Sequence, residues 1–262
     1  MSEKWAIQHF RELQLSFKDL EDVPEDAVAL FSISSYAVSE LNVIARMLLA
    51  VMHAPEKDTA ISAAGFIQTS CALRYWTLKL FEFYECMRSI VEGKGEKHQS
   101  VICAVEAAVS NFKELKEDSS FSLARNVRHE AAGHYSFEAA KKNIRFVAPN
   151  AIASMYVHQQ AGNSFFPFGE EVMFVGRMNR HGSSLKSDEE RVQLVSALFA
   201  WDKRATKWVK ECHMLFFREL IRPYLSGRIA KKRSYWVDPN KVGELKDFNV
   251  PLFASVQSEA AQ

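Results

Sequence analysis

Ten glycines and seven prolines are all that interrupt 262 residues. Between them apolar residues recur at intervals of three and four over long windows. That spacing lines one face of a 3.6-residue helix and leaves strand alternation nearly absent. The expectation is an all-α chain, a bundle of long antiparallel helices with a helical extension on its C-terminal side. A hydrophobic content of 48%, with 12% aromatics, can fill a sizeable core.

Start and stop signals divide the chain further. Residues Lys4 to Leu20 suggest a first amphipathic helix. Pro24-Glu25-Asp26 opens a second, running to about Met52, with proline and acids in its first turn. Its apolar run is interrupted by Glu40 and Arg46 and diluted by serines, which marks a core helix rather than a membrane span. Asp58 or Thr59 can cap a third helix through Cys71, Trp76 and Met87, ended by Gly93-Lys94-Gly95. A fourth follows from about Ser100 to Lys116, and shorter helices are expected over 137–146 and 150–158. The start Ser187-Asp188-Glu189-Glu190 has capping-box spacing and opens a long helix to about Tyr224. Residues 1–226 read as one helical domain and 227–262 as a partly ordered basic-aromatic tail.

A formal charge of +1, from 33 basic and 32 acidic residues, gives no global field toward nucleic acid or an anionic membrane. Any polyanion must meet a local patch. Cys71, Cys86, Cys103 and Cys212 lie far apart, with no pair at zinc spacing, and read as buried free thiols of a reducing cytoplasm. The start Met1-Ser2-Glu3-Lys4-Trp5 lacks the order of a secretory signal, so a cytoplasmic protein is expected.

Chemistry shows through in the stretch from Leu123 to Tyr135, where Arg125, Arg128, His129 and His134 crowd together. Arg128 and His134, with polar His129 right after the arginine and five residues between the pair, resemble the arginine–spacer–histidine signature of the HEPN superfamily. The Gly133-His134-Tyr135 ending and the long flanking helices resemble members found in bacterial defence and abortive-infection systems. Many of that family are ribonucleases that need no metal and no cofactor. The resemblance implies a HEPN-like bundle and a homodimer in which the arginine and histidine of two protomers meet. It assigns catalysis to Arg128 and His134, with RNA as substrate and a partner protein or antitoxin as a possible binder. Arg125, Asn126, His129 and Tyr135 would support the site. Asn126 is the polar type that usually follows the family's arginine, but here it follows Arg125, whose spacing to His134 is too long. The motif's register is therefore displaced.

The residue types suit the chemistry. Histidine titrates near neutrality and can move a proton, while arginine stays charged and offers a fork of donors to a phosphate. On a straight helix Arg128 and His134 would lie roughly 120° apart, so they share a site only through a kink, which Gly133 could supply, or a second chain. Arg125 and His129, four apart, share a face. His129 and His134 are five apart, not the four a zinc-protease helix needs, and no Glu-x-x-His pair supports a di-iron bundle.

Two further clusters are basic. Arg228, Lys231, Lys232 and Arg233 precede Tyr235-Trp236, a composition that can hold a phosphate backbone and stack a base; dipole compensation and tail packing explain it as well. Arg177, Arg180 and His181 stand before Gly182 and fit a solvated helix end. The aromatic run Phe165-Phe166-Pro167-Phe168 is a candidate lid or interface loop, and the basis of a rival reading as a non-catalytic interaction protein. Isolated His53, His98, His158 and His213 have no partner at informative spacing.

Overall fold

A computed structural model describes residues 6–52, 56–93, 95, 97–128, 136–159, 162–238, 242 and 250–253. Most of these residues are helical, and the chain is all-α apart from one small two-stranded sheet. The helices are α1 (Glu25–Val51), α2 (Thr59–Glu92), α3 (Gln99–Asn111), α4 (Lys113–Glu117), α5 (Phe121–Asn126), α6 (Phe137–Asn143), α7 (Pro167–Glu170), α8 (Gly176–Arg180) and α9 (Asp188–Phe216). The strands are β1 (Ala6–Glu12) and β2 (Lys231–Val237).

The predicted boundaries of the long helices rest on real caps. Asp58 Oδ1 accepts from the backbone of Ala60 at 2.8 Å and Ile61 at 3.1 Å, which satisfies two donors at the start of α2. At α9, Ser187 Oγ accepts from Glu190 N–H at 3.3 Å while Glu190 Oε2 accepts from Ser187 N–H at 3.0 Å, a reciprocal capping box. Helical structure continues from α9 through a π-turn, Phe217–Ile221, and a 3-10 turn, Arg222–Tyr224, as far as the sequence spacing predicts. Among the described helices α1 alone is long and apolar enough to cross a membrane. It nevertheless buries Ala27, Leu30, Ser34, Leu41, Ile44 and Leu48 along one stripe, as a core helix does.

Three expectations are overturned. The first helix is instead β1 followed by a 3-10 turn, Phe17–Leu20. Residues 150–158 are not helical: Tyr156 forms an antiparallel bridge with Phe165, their backbones exchanging bonds of 3.0 and 2.9 Å. Nor are all four thiols buried, since Cys71 and Cys103 are exposed and only Cys212 is fully buried. Cys71 stands two residues before Leu73 on α2, about 200° round the helix from it, and Leu73 faces the core.

The described chain divides into two compact units. The first comprises residues 1–42, 82–114 and 206–248. At its centre Tyr84 stacks on Phe112, with ring centroids 4.1 Å apart, and Trp208 meets Phe112 edge-on at 4.7 Å. Trp208 Nε1 donates to the Ala108 carbonyl at 2.9 Å, so the indole is buried without stranding its donor. His213 lies flat on Phe31 at 4.9 Å with Nδ1 3.0 Å from Ser34 Oγ, and burial holds its imidazole below the ordinary histidine range.

The second unit comprises residues 43–81, 115–205 and 249–262. Trp201 stacks on Phe81 at 5.4 Å and donates to the Leu115 carbonyl at 3.2 Å. Phe121, the first residue of α5, packs on Phe81 at 5.8 Å and on Trp201 at 6.2 Å. These aromatics place the start of α5, the helix that leads into the arginine–histidine motif.

Candidate nuclease motif and basic ribbon

Before α5, Asp118 Oδ1 accepts from Ser120 N–H at 2.7 Å and its carboxylate pairs with Arg204. Ala124 and Val127 are fully buried and fix the helix rotationally. Arg125 is therefore exposed, while Asn126 and Arg128 are half-buried. Arg125 stands in the last turn of α5, where a cation complements the helix dipole. His129, His134, Tyr135 and Gly133 lie outside the described residues. The arginines of the motif are thus placed on a helix end in the second unit, and the histidines are not described.

The tail residues fall into two groups that the sequence did not separate. β2 pairs antiparallel with β1 in the register Glu12↔Lys231, Arg11↔Lys232, Phe10↔Arg233, His9↔Ser234 and Gln8↔Tyr235. Successive side chains on a strand point to opposite faces and directly paired residues share one. One face carries Phe10, Glu12, Lys231, Arg233 and Tyr235. Here the Glu12 carboxylate accepts from the Tyr235 hydroxyl at 2.6 Å and pairs with Arg233 at 2.9 Å. The Tyr235 hydrogen bond, then the Arg233 charge, hold the Glu12 carboxyl below its usual range. The other face carries His9, Arg11, Lys232, Ser234 and Trp236. Arg228, just before the strand, pairs with Asp19 and donates to the Gln14 carbonyl at 3.2 Å. Of the tail residues singled out in the sequence, Arg228 and Arg233 therefore hold acids of this chain. Lys231 and Lys232 point to opposite faces, and Trp236 is 68% exposed.

The aromatic loop is partly consumed by packing. Phe165 stacks on Tyr156 at 4.5 Å and touches Phe253 at 5.7 Å, and Pro167 is buried at the first position of α7. Phe166 and Phe168 remain 48% and 54% exposed. Arg177 is buried rather than solvated, which overturns the solvated-end reading for that residue, whereas Arg180 Nη2 lies 3.1 Å from His181 Nε2 on the surface. His98 is exposed beside Ser100, and His158 is exposed.

Sequence reasoning missed one polar cluster in the second unit. α7 runs into a π-turn, Glu171–Val175, and their junction presents two adjacent acids, Glu170 and Glu171, to two distant arginines. Arg74 pairs with Glu170, and Arg191 with Glu171 at 2.7 Å. Each guanidinium also lies over a ring, Arg74 on Phe174 at 4.8 Å and Arg191 on Phe66 at 5.3 Å. Burial pushes the Glu171 carboxyl up, and Arg191 opposes that shift. Arg191, Phe66, Ser62, Thr69 and Ser196 also line a cavity of about 470 Å³. The Arg191 Nε is buried without a partner and without exposed surface, so it does not address that cavity. Only the Glu170-Glu171 pair is visible along the chain; its partners stand 96 and 20 residues away. No family model matches this chain, and neither a curated protein nor a solved structure does.

Proposed function

We propose that this chain is a metal-independent endoribonuclease or RNA-binding effector of a bacterial defence or toxin–antitoxin type, HEPN-like and cytoplasmic, working as a homodimer. The observation that carries the reading is the end of α5. Buried Ala124 and Val127 lock the helix so that Arg125 faces solvent, and Arg128 stands directly before His129 in the chain, with five residues between it and His134. In the reaction a histidine takes the proton of the ribose 2′-hydroxyl, whose oxygen attacks phosphorus. The bond from phosphorus to the 5′-oxygen breaks, and a second histidine returns a proton to that oxygen. The Arg128 guanidinium neutralises charge on the phosphoryl oxygens as the fifth bond forms.

The test is product chemistry. Single-stranded RNA incubated with the protein and excess chelator should yield 2′,3′-cyclic phosphate and 5′-hydroxyl ends, from protein that elutes at dimer mass. Ends bearing 5′-phosphate, or cleavage abolished by chelator, would contradict the reading. A second reading, a non-catalytic helical interaction protein, is favoured by exposed Phe166 and Phe168 on either side of buried Pro167. It predicts intact RNA, and a partner lost on changing both phenylalanines to serine.

A further inference from the structure

We infer that one face of the β1–β2 ribbon, bearing Arg11, Lys232 and Trp236 with His9 beside them, is a docking surface for single-stranded nucleic acid. It is separate from the arginine–histidine motif and independent of cleavage. The register sets Arg11 directly opposite Lys232. Like charges directly opposed on one face of an antiparallel pair are destabilising. No acid among the described residues pairs with either side chain, although Glu12 and Asp19 neutralise Arg233 and Arg228 close by. An anion bound between Arg11 and Lys232 relieves that repulsion, which makes a phosphate the complementary group. His9 Nδ1, 2.9 Å from Ser234 Oγ, continues the polar row between the cations and the ring.

Trp236 decides which polyanion fits. Its indole is on the same face as the two cations, four residues along β2 from Lys232, about 14 Å away on an extended strand. Every base offers a π-face for stacking, but a duplex hides those faces between its pairs, so a cationic track ending in an exposed ring matches a single strand. An acidic peptide would use the cations and leave the indole idle. An anionic bilayer would favour a continuous apolar row beside the indole, whereas His9, Arg11, Lys232 and Ser234 fill most of that face and exposed Phe10 belongs to the opposite one.

The experiment is fluorescence anisotropy of the full-length protein with a labelled single-stranded DNA of about a dozen nucleotides. DNA has no 2′-hydroxyl, so binding is read without cleavage, and failure here is distinct from failure of the nuclease reading. Trp236→Ala should weaken binding about tenfold, and Trp236→Phe should restore most of the loss. Joint Arg11→Gln and Lys232→Gln should lower the slope of log affinity against log salt by about 1.4, two phosphate contacts on a single strand. Joint Glu12→Gln and Arg233→Gln removes an ion pair from the other face without changing net charge, and should alter affinity less than about twofold. The inference is overturned if Trp236→Ala binds as wild type does while circular dichroism is unchanged. It is equally overturned if the Glu12/Arg233 variant loses as much as the Arg11/Lys232 variant. Tighter, Trp236-dependent binding to a duplex of equal length, or to phosphatidylserine vesicles, would also overturn it.

Discussion

Asp202 has no exposed surface, and its single hydrogen bond comes from the Thr77 hydroxyl, which donates to Oδ2 at 2.8 Å. Oδ1 has no partner. Burial pushes the carboxyl well above its ordinary value and the Thr77 bond only partly opposes it. The folded chain thus holds a proton that the unfolded chain releases above about pH 4. The stability this proton confers is complete below the unfolded pKa and is lost as pH rises toward the folded one. Asp202→Asn keeps an acceptor for Thr77 and needs no proton. It should raise the melting midpoint at pH 7 by roughly 2–4 °C, and the gain should vanish as pH falls to about 4. A variant that melts below wild type at both pH values would show that the carboxylate is charged and held by partners.

At the scale of elements, one close joint in the second unit is where α6 and its following 3-10 turn, Ile144–Phe146, meet α8. A Cβ on Gly176 would stand 2.8 Å from the Asn143 carbonyl oxygen and 3.0 Å from a Val147 methyl. Asn179 ties the same joint, donating to the Phe146 carbonyl at 3.1 Å and accepting from Leu185 N–H at 2.8 Å. Backbone cannot yield there as a flexible side chain would. Gly176→Ala should therefore cost roughly 1–3 kcal/mol, read as a lower midpoint in urea; a neutral substitution would mean that α6 and α8 stand further apart. The long helices were legible because their signals are local: the Ser187/Glu190 box at α9, the Asp58 cap at α2 and apolar spacing through both. β1 was not. Its apolar residues, Ala6, Ile7 and Phe10, suit one helical face as well as a strand, and the partner that settles the matter, β2, lies more than 200 residues away. Residues 150–158 failed for a related reason, since the Tyr156–Phe165 bridge is a pairing that periodicity along one segment does not report.

For the whole molecule, near-neutral composition conceals an uneven placement of charge. The +1 balance hides a ribbon in which Glu12 offsets Arg233 on one face while Arg11 and Lys232 stand opposed, with no acid among the described residues beside them, on the other. That division appears only when the two ends of the chain pair, so the tail read in isolation kept Arg228 and Arg233 beside Lys232 and Trp236 and missed Arg11. The arginine–histidine motif was legible as residue types at a spacing, and the structure adds where α5 sets Arg125 and Arg128. The decisive measurement for the nuclease mechanism is the rate of RNA cleavage in the presence of chelator for wild type, Arg128→Ala and His134→Ala, with His98→Ala as a control. Each motif variant should lose at least about a hundredfold, the usual scale for a positioned acid–base or charge-stabilising group, and the control nothing. RNA left intact by wild type, or a folded Arg128→Ala or His134→Ala protein that cuts at the wild-type rate, would contradict that mechanism.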